Sequence, residues 1–117
     1  MTVTNAFASL AVHDLAASSR WYEKLLGPGN RPMPEDIEWQ LERGGGLQIY
    51  ELAERAGHGS CTLIVSDIDE LSRQLRESDV AADPEPARTE RVDTIMIKDP
   101  DGNSIAFAMP KDLTLAH

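Results

Sequence analysis

A single cysteine, Cys61, stands among the 117 residues, so no disulfide can form within the chain. A reducing cytoplasm is therefore its expected location. Lying in an apolar run, that cysteine reads as a small buried hydrophobe rather than a nucleophile. No apolar run approaches the roughly 18 residues of a membrane-spanning helix. The opening MTVTNAFASL lacks the basic-then-apolar order of a secretory signal. Basic residues are few as well: 11 Lys and Arg face 20 Asp and Glu, for a net charge of −9. Nucleic acid and anionic membranes reward clustered Lys and Arg, so neither is an expected partner. This balance suits solubility or a generally acidic proteome, or else a cleft that attracts cations. Dinucleotide fingerprint, phosphate loop, CxxC pair and Ser–His–Asp pattern are all missing. What remains, at 41% hydrophobic and 26% charged residues, has the composition of one globular domain spanning residues 1–117.

The most informative feature present is an internal repeat. FASLAVHDLAASSR, from Phe7 to Arg20, stands over SCTLIVSDIDELSR, from Ser60 to Arg73, at a constant offset of 53. Leu10/Leu63, Val12/Val65, Asp14/Asp67, Ser19/Ser72 and Arg20/Arg73 are identical, where average residue usage gives about one match. Two copies are too few for a solenoid, so two similar halves burying their apolar faces together are expected. Module one covers about residues 1–54 and module two about 55–117.

Both copies share one grammar. Phe7 to Val12 alternates like a strand, Asp14 is placed to cap a helix over about Leu15–Leu26, and Gly27 stops it. Pro28-Gly29-Asn30 reads as a turn. Strands are expected between Glu35 and Glu42 and from Leu47 to Leu52, joined by Gly44-Gly45-Gly46. In the second half, Cys61 to Val65 is a strand, and Asp67 with Glu70 forms a capping box for the next helix. Val80 to Arg91, bearing Pro84 and Pro86, is a polar edge segment or a loop around a short edge strand. Val92–Lys98 and Ser104–Met109 form a closing hairpin around Asp99-Pro100-Asp101-Gly102, and Lys111–His117 reads as a loose tail.

Three of these stretches together resemble the vicinal-oxygen-chelate superfamily of glyoxalases, extradiol dioxygenases and bleomycin-resistance proteins. They are LAVHDLAASSRWYEKLLG (Leu10–Gly27), CTLIVSDIDEL (Cys61–Leu71) and IKDPDGNSIAF (Ile97–Phe107). The resemblance implies an α+β fold of two βαβββ modules whose curled mixed sheets enclose a cleft. It also implies that metal-dependent members draw ligands from four strand positions, two per module. In this chain those positions fall at Phe7, Ser60, Ala106 and either Gln48 or Tyr50. Divalent metals of this class want imidazole and carboxylate ligands, so no metal and no other cofactor is expected. A displaced site would need His58 with Glu51 and would support a lyase or isomerase, although Gly57-His58-Gly59 reads more simply as a loop.

Strand parity puts Phe7, Ser9, Ser60, Thr62, Thr94, Met96, Ala106 and Ala108 opposite the helix-packed Leu10, Val12, Leu63 and Ile105. Gln48 and Tyr50 join the first set, and Trp39 is expected to line the same site. Such an apolar and hydroxylic lining suits a binding pocket better than acid–base catalysis. The expectation is a metal-independent protein that sequesters or senses an aromatic or amphipathic small molecule, working as a homodimer. Its alternatives are a lyase or isomerase of the same fold and an accessory domain without ligand.

Overall fold

A computed structural model describes residues 2–81 and 83–111, and within them the repeat extends well beyond the fourteen residues visible in sequence. The first module runs β1 (Phe7–Val12), α1 (Leu15–Leu26), β2 (Asn30–Met33), β3 (Asp36–Gln40) and β4 (Gly46–Glu51). A 3-10 turn at Ala53–Arg55 leads to β5 (Ser60–Ile64), α2 (Ile68–Glu77), β6 (Ala87–Arg88), β7 (Val92–Lys98) and β8 (Ser104–Pro110). The sheet orders are β1-β4-β3-β2 and β5-β8-β7-β6, with only β1–β4 and β5–β8 parallel. Both halves are thus βαβββ modules, and the fold is α+β as expected.

Helix starts obey the capping logic. Asp14 accepts the Ala16 and Ala17 N–H groups, and Asp67 accepts that of Glu70 at 3.0 Å. The capping box is only half made, because the Glu70 carboxylate turns outward to Arg73 instead of back to Asp67. One strand departs from expectation: β2 begins at Asn30, inside the segment read as a turn, and all four of its residues are exposed. Pro32 within it lacks an N–H, which fits an edge strand. Lys111 is tied down rather than loose, its Nζ donating to the Thr89 carbonyl at 2.6 Å. Residues 112–117 lie outside the described residues.

Both helices cover one side of the sheets. Leu10, Val12, Ile49, Ile68, Ile95 and Ile105 are almost fully buried there, each side chain contributing about 1.5–3 kcal/mol. The modules are pinned together by the β7–β8 turn. Asn103, fully buried, donates from Nδ2 to the Ala11 carbonyl and accepts the Gly59 N–H at Oδ1. Gly57 lets this turn approach, since a Cβ there would lie 2.2 Å from the Asp101 carbonyl oxygen, and its φ of +85° suits glycine. The molecule measures 42 × 41 × 24 Å with a radius of gyration of 14.5 Å, against about 13.4 Å for a typical domain of this length. It is a flattened slab whose sheets do not close over a cleft.

Candidate functional site on the open sheet face

Strand register decides what lies on the side away from the helices. In the first sheet, Phe7 aligns with Gly46, Ser9 with Gln48 and Glu38, and Tyr50 with Asp36. In the second, Ser60 aligns with Ser104 and Lys98, Thr62 with Ala106 and Met96, and Ile64 with Ala108 and Thr94. The expected face is therefore assembled, and it is exposed: Met96 is 67% and Ile64 56% accessible. Gly46 makes room for the Phe7 ring, because a Cβ there would fall 2.7 Å from its Cε2.

Trp39 does not belong to this face. It aligns with Leu47, packs 5.8 Å from the Tyr22 ring and donates from Nε1 to the Gly27 carbonyl at 2.8 Å. Alternation along β3 left its side open, and packing against α1 settled it. The same register brings in two residues that sequence reasoning passed over, Asp36 and Glu38. Their signal was the alternation of charged residues with Ile37 and Trp39, which needed only the correct face assignment.

The centre of the face is a polar chain. Ser9 Oγ donates to Gln48 Oε1 at 3.0 Å, and Gln48 Nε2 reaches Asp36 Oδ2 at 3.4 Å. Asp36 is only 6% exposed, so its charge is held close to the sheet. The face thus offers acceptors near Ser9, Gln48 and Asp36, apolar surface at Phe7, Ile64 and Met96, and a cation at Lys98.

The register also resolves the choice between Gln48 and Tyr50. Phe7–Gly46 matches Ser60–Ser104 and Ser9–Gln48 matches Thr62–Ala106, so Gln48, not Tyr50, is the counterpart of Ala106. The four positions Phe7, Gln48, Ser60 and Ala106 supply a ring, an amide, a hydroxyl and a methyl. That donor set does not fit a divalent metal, which wants imidazole and carboxylate. The displaced alternative fares no better. Glu51 Oε1 accepts the Leu15 N–H at the start of α1, and His58 is exposed in the linker. Among the described residues, no group of three or more His, Cys, Asp and Glu side chains could hold a metal. Cys61 faces the helix side, where burial raises its thiol pKa and disfavours the reactive thiolate.

A family model described as the Glyoxalase/Bleomycin resistance protein/Dioxygenase superfamily matches residues 28–107. The chain belongs to this superfamily. A glyoxalase/bleomycin resistance protein from Catenulispora acidiphila DSM 44928 is 39% identical, with a TM-score of 0.76 over 92% of this chain and 98% of that one. Two more distant structures show the fold alone. TnmS3, an antibiotic binding protein from Streptomyces sp. CB03234, is 22% identical with a TM-score of 0.77, covering 95% and 99% of the two chains. A bleomycin resistance determinant encoded on the transposon Tn5 is 18% identical with a TM-score of 0.72, covering 93% and 99%. No curated protein sequence gives a significant match. No helix among the described residues is long and apolar enough to cross a membrane.

Proposed function

We propose that this superfamily member binds a small aromatic or amphipathic molecule on its open sheet face without a metal, and sequesters or senses it. One observation carries the reading: apolar side chains are held exposed around a fixed polar chain, Ser9–Gln48–Asp36, on the face where the superfamily resemblance places its cleft. Phe7, Tyr50 and Met96 give contact area, Ser60, Thr62 and Ala106 leave room, and Asp36 and Glu38 favour a neutral or cationic ligand over an anionic one. A phenyl or phenol face adds about 0.5–2 kcal/mol per cation contact. The names of the antibiotic-binding and bleomycin-resistance neighbours point to the same class of activity. A second copy of the chain completes the site by covering the exposed apolar residues.

Thermal stabilisation by aromatic compounds in cationic, neutral and anionic forms tests the proposal, since a ligand of the native state alone raises its stability by RT ln(1 + [L]/Kd). Cationic or neutral members should stabilise in the presence of a chelator, and Phe7→Ala with Tyr50→Ala should weaken them about tenfold or more. Salt should weaken only the cations. Stabilisation that appears only with added divalent metal would favour the lyase or isomerase reading. Neither Trp21 nor Trp39 is on the face, so tryptophan emission is not a direct readout.

A further inference from the structure

The two hairpin turns are counterparts at an offset of 58. Leu41 and Asp99 each donate their N–H to a carbonyl four residues on, Gly45 and Asn103, at 3.1 and 3.0 Å. Gly44 and Gly102 donate back to Leu41 and Asp99 and share a φ of +98°. Each turn faces the first strand and helix of the opposite module. The second-module turn ties its joint together with side-chain hydrogen bonds. Asp99 accepts the Tyr22 hydroxyl at 2.7 Å, Asp101 accepts the His13 N–H and Ser18 Oγ, and Asn103 bonds Ala11 and Gly59.

The side chains that make those bonds are replaced at the other joint. Leu41, Arg43 and Gly45 stand where Asp99, Asp101 and Asn103 stand, and Gly45 turns to a φ of +70°. On the opposing side, Leu71 and Leu75 replace Ser18 and Tyr22, and Met109 replaces Glu51. The bulk of Asn103 and the ring of Tyr22 therefore have no equivalents. A groove of about 730 Å³ remains between residues 41–44 and the β5–α2 corner. Leu71, which points into it, is half-buried, whereas its counterpart Ser18 is buried under Asp101.

We propose that this groove is a second binding site, for a small amphipathic cation. Its volume falls within the roughly 300–1,000 Å³ of small-molecule pockets. Leu41, Leu63, Val65, Leu71 and Met109 provide apolar walls. The charged groups lining it are Glu42, Asp67 and Glu70 against Arg43, an excess of negative charge over an apolar floor. Asp67 also spends one oxygen on the Glu70 N–H, and Glu70 pairs with Arg73, so Glu42, exposed on the groove's wall, is the carboxylate assigned to the cation. The site is distinct from the open face proposed above, touching it at Thr62, Ile64 and Pro110, and it stands whether or not that face binds a ligand.

Titration of the isotope-labelled full chain with benzyltrimethylammonium, followed by amide chemical shifts, tests this directly. Saturable shifts should cluster at Gly44, Asp67, Leu71 and Met109, and benzoate at equal concentration should produce none there. Met109→Trp should abolish them by filling the groove. Glu42→Lys, at an exposed position that leaves the fold intact, should weaken binding about threefold to fivefold. Phe7→Ala should leave it unchanged. Shifts confined to Ser9, Gln48 and Met96, equal binding of benzoate, indifference to Glu42→Lys, or groove resonances that respond only to protein dilution would each overturn the proposal. The last outcome would mean that a second copy of the chain fills the groove.

Discussion

Tyr22 and Asp99 carry the most consequential single contact between the modules. Tyr22 is fully buried, its hydroxyl donates to Asp99 Oδ2 at 2.7 Å, and its ring has Trp21 edge-on with the centroids 4.9 Å apart. Burial, and then the Asp99 carboxylate, push its pKa far above the ordinary value near 10. The fold therefore favours the neutral phenol. Its stabilisation is fully present below pH 10, the unfolded value, and is lost as pH rises toward the folded one. Tyr22→Phe should leave the buried Asp99 short of a donor and cost about 1–3 kcal/mol at pH 7. The variant should also lose stability less steeply than the parent above pH 10. Urea unfolding from pH 7 to 11 checks both, and a gap between the two proteins that stays constant with pH would refute the second. The sequence placed Tyr22 within the capped helix over Leu15–Leu26. It could not show Asp99 as buried, because a DPDG turn is ordinarily solvated.

At the scale of elements, the β7–β8 turn acts as a latch whose energy resides in side chains. Asn103 satisfies the Ala11 carbonyl and the Gly59 N–H from one fully buried amide. Asn103→Ala would leave both without their partner, at about 1–3 kcal/mol for each buried group. Asn103→Asp should be worse, since it removes the donor to Ala11 and sets a second carboxylate against Asp99. Melting temperatures should thus order parent, Ala, Asp, with shifts of about 4–8 °C per kcal/mol; an Asp variant as stable as the parent would remove the latch argument. Strands with strong alternation, β1, β4, β5, β7 and β8, were legible in the sequence. β2 was not, because its four residues NRPM are exposed edge backbone with no apolar period. Their pairing with β3 supplies the order that the residues do not.

The whole molecule is a slab with one covered side and one bare side. Its bare side measures up to 42 by 41 Å, more than the roughly 800 Å² per partner of a stable interface, and it exposes Phe7, Ile64 and Met96. A homodimer that covers part of this face is expected. Sedimentation should report about twice the 12.9 kDa chain mass at micromolar concentration, and Ile64→Lys with Met96→Lys should give a folded monomer. A monomeric parent protein would sink this proposal while leaving the groove at the β5–α2 corner untouched. At acid pH, Asp93 adds a second global dependence. Burial disfavours its charge, but bonds from Lys111 and Arg88 outweigh that and lower its pKa. Its contribution is present above the ordinary carboxylate value near 3.8 and is lost as pH falls through the lowered one.

The sequence by itself determined the duplication, the two capped helices, most strands and the face on which Phe7, Ser9, Ser60, Thr62, Met96 and Ala106 lie. Those features rest on local rules: period-two alternation, side-chain capping and turn chemistry act between residues close in the chain. Tertiary structure decided the rest. It moved Trp39 to the helix side, brought Asp36 and Glu38 to the open face, and chose Gln48 over Tyr50 as the counterpart of Ala106. It also filled one inter-module joint and left the other open. Each of these depends on which residues meet across a sheet or between modules, and such pairings, from Trp39–Leu47 to Ala11–Asn103, leave no periodic trace in a single chain.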